Sequence, residues 1–257
     1  MQSQSFFQKY EFLFFLLLTY ALSWWSVPFA NGGIIPHGPA LAAFIIIALT
    51  SGRQGLREYW SRLTKFNAGR WYLVGPAIVS AYLLVAYFVN LLFGATVANP
   101  FPFPSAATMI LMLLMGGLWE ELGWTGYALA KLQDRFAPRT NGSFAATLVM
   151  GFVRSLWHLP LVIYGSIEWY DAVFFSFAFQ LIITWLYNKS SRSVPAVMIF
   201  HYASNVLAGS MMLQAFSGAE RAMYYLLFVI FACLIALCVA WQTKLQLGFS
   251  RPIHLQK

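Results

Sequence analysis

Apolar residues run along this chain in long blocks, and short polar or basic clusters separate them. The blocks predict helices at Phe12–Phe29, Pro39–Thr50, Trp71–Phe93, Thr108–Ala130, Ser143–Tyr164, Ala172–Tyr187, Val194–Ala215 and Ala222–Thr243. A bilayer core takes about 20 apolar residues of helix, so the second and sixth blocks are short for a crossing and their ends are loosely defined. Pro36, Pro39, Pro102, Pro104, Pro138 and Pro195 fall in connections or first turns, where proline is tolerated. Pro160 lies inside the fifth block and predicts a kink there. No internal repeat or low-complexity linker divides residues 1–257. The expectation is one all-α, polytopic membrane domain of about eight transmembrane helices.

Composition agrees with that class: 60% of residues are hydrophobic and 9% are charged. The net charge of +8 does not point to nucleic acid, because the bases form no continuous face. They instead alternate with the blocks. Lys9, Arg53, Arg57, Arg62, Lys65, Arg70, Lys131, Arg135, Arg139, Lys189, Arg192, Lys244, Arg251 and Lys257 all fall on one side of an eight-helix count. The other side holds Arg221, and Arg154 sits within a block. Orientation follows Lys and Arg bias, so both termini are expected in the cytoplasm and the protein in the plasma (inner) membrane. Between Gly52 and Arg70 the stretch Leu56–Leu63 is basic, amphipathic and aromatic, which suits the inner leaflet surface. The first block is too long for a cleaved leader and carries Glu11 in its flank, so it reads as a retained span. Cys233 and Cys238 match no metal or redox spacing and read as apolar filler.

The chemistry lies in the polar residues that lipid disfavours. Glu120 and Glu121 are adjacent within an otherwise uncharged block, and each ionised acid costs roughly 2.5–3.5 kcal/mol at mid-bilayer. Arg154, His158 and His201 are the other ionisable groups within blocks, and Asn205 follows His201 by one helical turn. Alone, a buried His or Asn has a structural explanation as a satisfied core residue or as interhelical glue. Together on three helices, the six can line one polar chamber. At 1.5 Å per residue Glu120 lies on the order of 16 Å from the cytoplasmic end, with Asn205 at similar depth. His201 falls nearer the cytoplasm and His158 deeper, differences that tilt and a kink can close. Adjacent helical residues diverge by about 100°, so Glu120 and Glu121 face different ways. A regular helix puts Gly116, Gly117, Gly123, Trp124 and Tyr127 on the face of Glu120. A carboxylate and an imidazole can activate water, and a second imidazole and an amide can steady a developing oxyanion.

These residues resemble the CAAX-processing and bacteriocin-processing family of intramembrane proteases, which includes the Abi proteins. Its Glu-Glu-x-x-x-Arg element appears as Glu120-Glu121-Leu122-Gly123-Trp124-Thr125, its Phe-x-x-x-His element as Arg154-Ser155-Leu156-Trp157-His158, and its His-x-x-x-Asn element as His201-Tyr202-Ala203-Ser204-Asn205. With Gly38-Pro39-Ala40-Leu41-Ala42-Ala43, the likeness covers about residues 39–205. Thr125 and Arg154 depart from the pattern, and the two changes read as linked, with Arg154 returning the positive charge beside Glu121. The resemblance implies a bundle of about eight spans with the site inside the membrane. It implies Glu120 and His158 as water activators, His201 and Asn205 as oxyanion partners and Glu121 as a supporting residue; Arg154, Trp124 and Tyr127 are expected around the substrate from their places on the helices. It implies a peptide or lipidated peptide as substrate, such as a bacteriocin precursor. The metal-free glutamate reading is preferred because it gives Asn205 a role. The alternative is a zinc site formed by Glu120, His158 and His201. Two other classes compete: a non-catalytic immunity or scaffold protein using the same cavity, and a proton-coupled transporter, for which no inverted repeat is visible.

Overall fold

In the computed structural model of this protein, residues 6–99, 103–114 and 116–249 are described; Pro102, Arg251 and Lys257 lie outside them. Helix is the sole regular structure among the described residues. The main helices are α1 (Glu11–Trp24), α2 (Gly38–Leu63), α3 (Trp71–Leu92), α4 (Ala106–Phe136), α5 (Gly142–Trp157), α6 (Ser176–Lys189), α7 (Val194–Ala215) and α8 (Gly218–Gln242). Five of them, α2, α3, α4, α7 and α8, are long and apolar enough to cross a membrane. The protein is a polytopic membrane protein. With 14, 16 and 14 residues, α1, α5 and α6 are shorter than a full crossing, although a five-residue π-helical turn, Asp171–Phe175, runs straight into α6.

One expectation from the sequence is corrected. Pro160 does not kink a continuous fifth helix, because α5 ends at Trp157 and a short helix, Leu159–Ile163, starts with Pro160 in its first turn. A first-turn proline loses no helical hydrogen bond, so the chain breaks ahead of it and bends at His158. The basic stretch Leu56–Leu63 is helical. It continues α2 across a bend at Gly52, whose backbone (φ 58°, ψ −150°) lies where an L side chain is strained.

Packing follows the solvent. Phe15, Tyr59, Tyr82, Met150, Ile182 and Phe200 are fully buried between helices, while Leu17, Leu73, Phe88, Phe152, Leu237 and Trp241 point outward. In water such a surface would be a liability; in lipid it is the solvated face. Cys233 and Cys238 are unpaired on α8.

The two ends of the bundle differ in charge. At one end Lys131 pairs with Glu11 at 2.6 Å, Arg192 with Asp134 at 3.1 Å, and Lys65 donates to the Ser191 carbonyl. At the other, Asn90 and Thr96 bond Glu220, and Tyr225 donates to Asp171 at 2.7 Å. Replacing Gly52 by Ala tests the bend. Nothing lies within 4 Å of the added methyl, so only backbone strain opposes it, and stability in detergent should fall by about 1–3 kcal/mol. An unchanged unfolding midpoint would mean that α2 relaxes there without cost.

Candidate active site

The site starts at a break in α4. Gly116 has non-helical backbone (φ −141°, ψ −118°), and regular helix resumes at Gly117–Gly123. A methyl on Gly117 would stand 2.9 Å from the Met198 carbonyl and 3.0 Å from His201 Cβ, and one on Gly116 would run into the Asn205 amide. The two glycines therefore let α4 touch the face of α7 that carries His201 and Asn205.

One turn on, the adjacent glutamates separate as helix geometry requires. Glu121 is fully buried and all its bonds are internal. Its Oε1 accepts from Arg154 Nη2 at 2.7 Å and from His201 Nδ1 at 2.8 Å, and its Oε2 accepts from Thr125 Oγ1. A carboxylate already paired with Arg154 can only accept, so the imidazole proton sits on Nδ1 and Nε2 is free toward the cavity. Arg154 stands beside Glu121, as the linked-change reading requires, while Thr125 fills the place of the family's arginine with a neutral donor. Charge-assisted bonds of this kind are strong, and the more so between groups as buried as these.

Glu120 faces the other way. It is 7% exposed and borders a cavity of ≈470 Å³ together with Arg154, His158, His201 and Asn205. Its Oε2 has no hydrogen-bond partner and lies 3.7 Å from Arg154 Nη2. His158, at the end of α5, is held by Trp157 (ring centroids 5.0 Å) and is 3.5 Å from Ser176 Oγ. His201 packs edge-on against Phe179 at 5.1 Å. Five of the predicted residues thus share one chamber, and Glu121 lies just behind it.

Trp124 and Tyr127 do not reach it. From Trp124 to Leu129 the helix is π-helical, with i→i+5 bonds, so the face expected from a regular α-helix is lost after Gly123. Both rings pack on Phe15, at 5.7 and 4.9 Å, and Tyr127 borders a separate cavity near Lys131 and Glu11. Other residues matter that the sequence reading passed over. Gln180 accepts from Arg154 Nη1 at 3.3 Å and donates to Thr184, which bonds Thr147 at 2.9 Å. The signal was present: Ser176, Gln180, Thr184 and Asn188 recur every four residues, a polar stripe on an apolar helix.

Among the described residues, no three His, Cys, Asp or Glu side chains gather to hold an ion. The Arg154 guanidinium stands 3.7 Å from Glu120 Oε2, beside the acid that a cation would need.

A family profile described as type II CAAX prenyl endopeptidase, Rce1-like, matches residues 102–207, a range that holds all the cavity's candidate residues. The chain is also 27% identical over 191 residues, 65% of its length and 67% of the relative's, to CAAX prenyl protease 2 of Methanococcus maripaludis. Both matches support the likeness to the CAAX-processing and bacteriocin-processing family. At family level the likeness is to membrane peptidases, and the Glu-Glu pair, His158, His201 and Asn205 lie within the matched residues. Close contact at Gly117 is testable by size. Gly117→Ala should lower stability by about 1–3 kcal/mol through overpacking, whereas Gly209→Ala, with open space around it, should not. Equal midpoints for the two variants in a thermal scan would refute the tight α4–α7 contact.

Proposed function

We propose that the protein is an intramembrane endopeptidase that hydrolyses a peptide or lipidated peptide with water activated by Glu120 and His158, without a metal. The observation that carries this is Glu120, a buried acid bordering one cavity with two imidazoles and an amide. A carboxylate on a cavity wall with an imidazole on the same wall can take a proton from a water between them.

In the proposed reaction, water lies between Glu120 and His158 and attacks the scissile carbonyl carbon while Glu120 accepts its proton. The carbonyl oxygen takes the displaced electron pair. The Asn205 amide donates to that oxyanion, joined by His201 through Nε2 in its protonated form, with Glu121 as counter-ion. Collapse of the tetrahedral intermediate breaks the C–N bond, and the proton taken by Glu120 passes to the leaving amine. Arg154 lies between the two carboxylates and keeps their like charges from opposing each other directly.

The arrangement in the membrane belongs to the same proposal. Eight helices cross the bilayer, with both termini and the basic loops in the cytoplasm of a cell whose plasma membrane holds the protein. The name of the methanococcal relative suggests a lipidated carboxy-terminal segment as one substrate chemistry, and small exported peptides are another.

Purified protein incubated with a peptide library tests the reaction. Glu120→Gln should lower turnover at least about 100-fold and leave the unfolding midpoint intact. Asn205→Ala should cost about 100- to 1,000-fold in kcat, with a smaller effect on KM. Full activity of Glu120→Gln, or its loss on treating the wild type with a chelator, would contradict the mechanism.

A further inference from the structure

A second cavity, of ≈450 Å³, lies where α1 begins and α4 ends, and shares no lining residue with the cavity of Glu120. The bend in α2 is built into one of its walls. Gly52 takes backbone angles suited to glycine, and a methyl on Gly55 would run into Ser51 Cβ. Past the bend, Gln54, Gly55, Glu58 and Arg62 line the cavity from one helical face. Glu11 borders it from α1, and Tyr127, Lys131 and Asp134 from α4. Its size falls in the range of small-molecule sites, about 300–1,000 Å³.

Both signs of charge line this cavity. Glu11, Glu58 and Asp134 are its acids, and Arg62 and Lys131 its bases. Lys131 pairs with Glu11 and Asp134 with Arg192, while Glu58 accepts from Gln54 at 3.1 Å. Two donors remain. Arg62 Nε and the hydroxyl of Tyr127, a residue only 4% exposed, have no hydrogen-bond partner in the protein. A plain anion would be opposed by the acids and a plain cation by the bases. A zwitterion suits both, with a phosphate to accept from Arg62 and Tyr127 and an ammonium to donate to Glu58. A primary ammonium fits better than a quaternary one, which has no N–H to give and is held by aromatic cages; Tyr127 is the single aromatic among the described lining residues.

The level of the cavity points to lipid as the source. α1 opens on Glu11, and α4 becomes charged again from Lys131, so the cavity lies where hydrocarbon gives way to headgroups. Phe7 and Leu49, chain neighbours of the lining residues Gln8 and Thr50, are 53% and 69% exposed and offer apolar surface to acyl chains. We infer that this cavity binds the headgroup of a membrane phospholipid carrying a phosphate diester and a primary amine, the chemistry of phosphoethanolamine, and that the lipid joins α1 to α2 and α4. Neither the peptidase activity nor the leaflet in which the cavity lies enters this inference.

Native mass spectrometry of the purified full-length protein in detergent tests it, with dioleoyl-phosphatidylethanolamine and dioleoyl-phosphatidylcholine added at equal concentration. The ethanolamine lipid should be retained at least about tenfold more than the choline lipid. Tyr127→Phe removes a hydroxyl that has no protein partner and should keep the unfolding midpoint. It and Arg62→Gln should each lower that preference at least about threefold. Glycerophosphoethanolamine, the same headgroup without acyl chains, should compete only at about 100-fold higher concentration or more. Equal retention of the two lipids, or an unchanged preference in either variant that keeps its unfolding midpoint, would overturn the inference. Displacement by glycerophosphoethanolamine at equal concentration would overturn the assignment to lipid in favour of a soluble phosphate ester.

Discussion

The structure depends on one buried carboxylate. Glu121 has no exposure to solvent, so its charge is tolerable only while Arg154, His201 and Thr125 all remain bonded to it. Those partners come from α5, α7 and α4, and the requirement to satisfy one acid therefore brings three helices to one point. Lipid gives helices little hydrophobic reason to choose one neighbour over another, so a polar knot of this kind is a strong source of specificity. Everything the cavity does follows from that alignment. With α7 held through His201 Nδ1, the other ring nitrogen and Asn205 face the chamber, and the residue before Glu121 is turned toward it as well.

The same region is where helical regularity fails. α4 is broken at Gly116 and becomes π-helical at Trp124, α5 stops at His158, α6 is preceded by a π turn, and α7 turns π-helical at Asn205. Each departure lies at or beside a residue of the site. Irregular backbone within a membrane is tolerable where protein or a polar cavity can satisfy it, and here the cavity supplies that setting. Irregularity also lets side chains from helices of different depth converge. That convergence answers the mismatch of depths expected for His158 and His201 on straight helices.

Much of this was legible from residue chemistry. Acids, imidazoles and an amide inside apolar blocks stood out because lipid makes them costly, and the expected pairing of Arg154 with Glu121 is present in the fold. What escaped notice was carried by neutral residues or by departures from ideal geometry. Gln180 and Thr184 have no charge to mark them, although their four-residue spacing with Ser176 and Asn188 was there to read. Trp124 and Tyr127 were assigned to the cavity by a 3.6-residue period that the π turn does not keep. The extension of α2 past Thr50 was hidden because a glycine-borne bend looks, from composition alone, like a loop.

The central claim is that the Glu121–Arg154 pair is an energetic keystone of the three-helix junction, not an incidental contact. A double-mutant cycle on unfolding free energy in detergent, with Glu121→Gln, Arg154→Gln and both together, measures it most directly. The account predicts a coupling of at least about 2 kcal/mol, each single change being costly because it leaves the other charge buried alone. A coupling indistinguishable from zero, with the two losses simply adding, would contradict it.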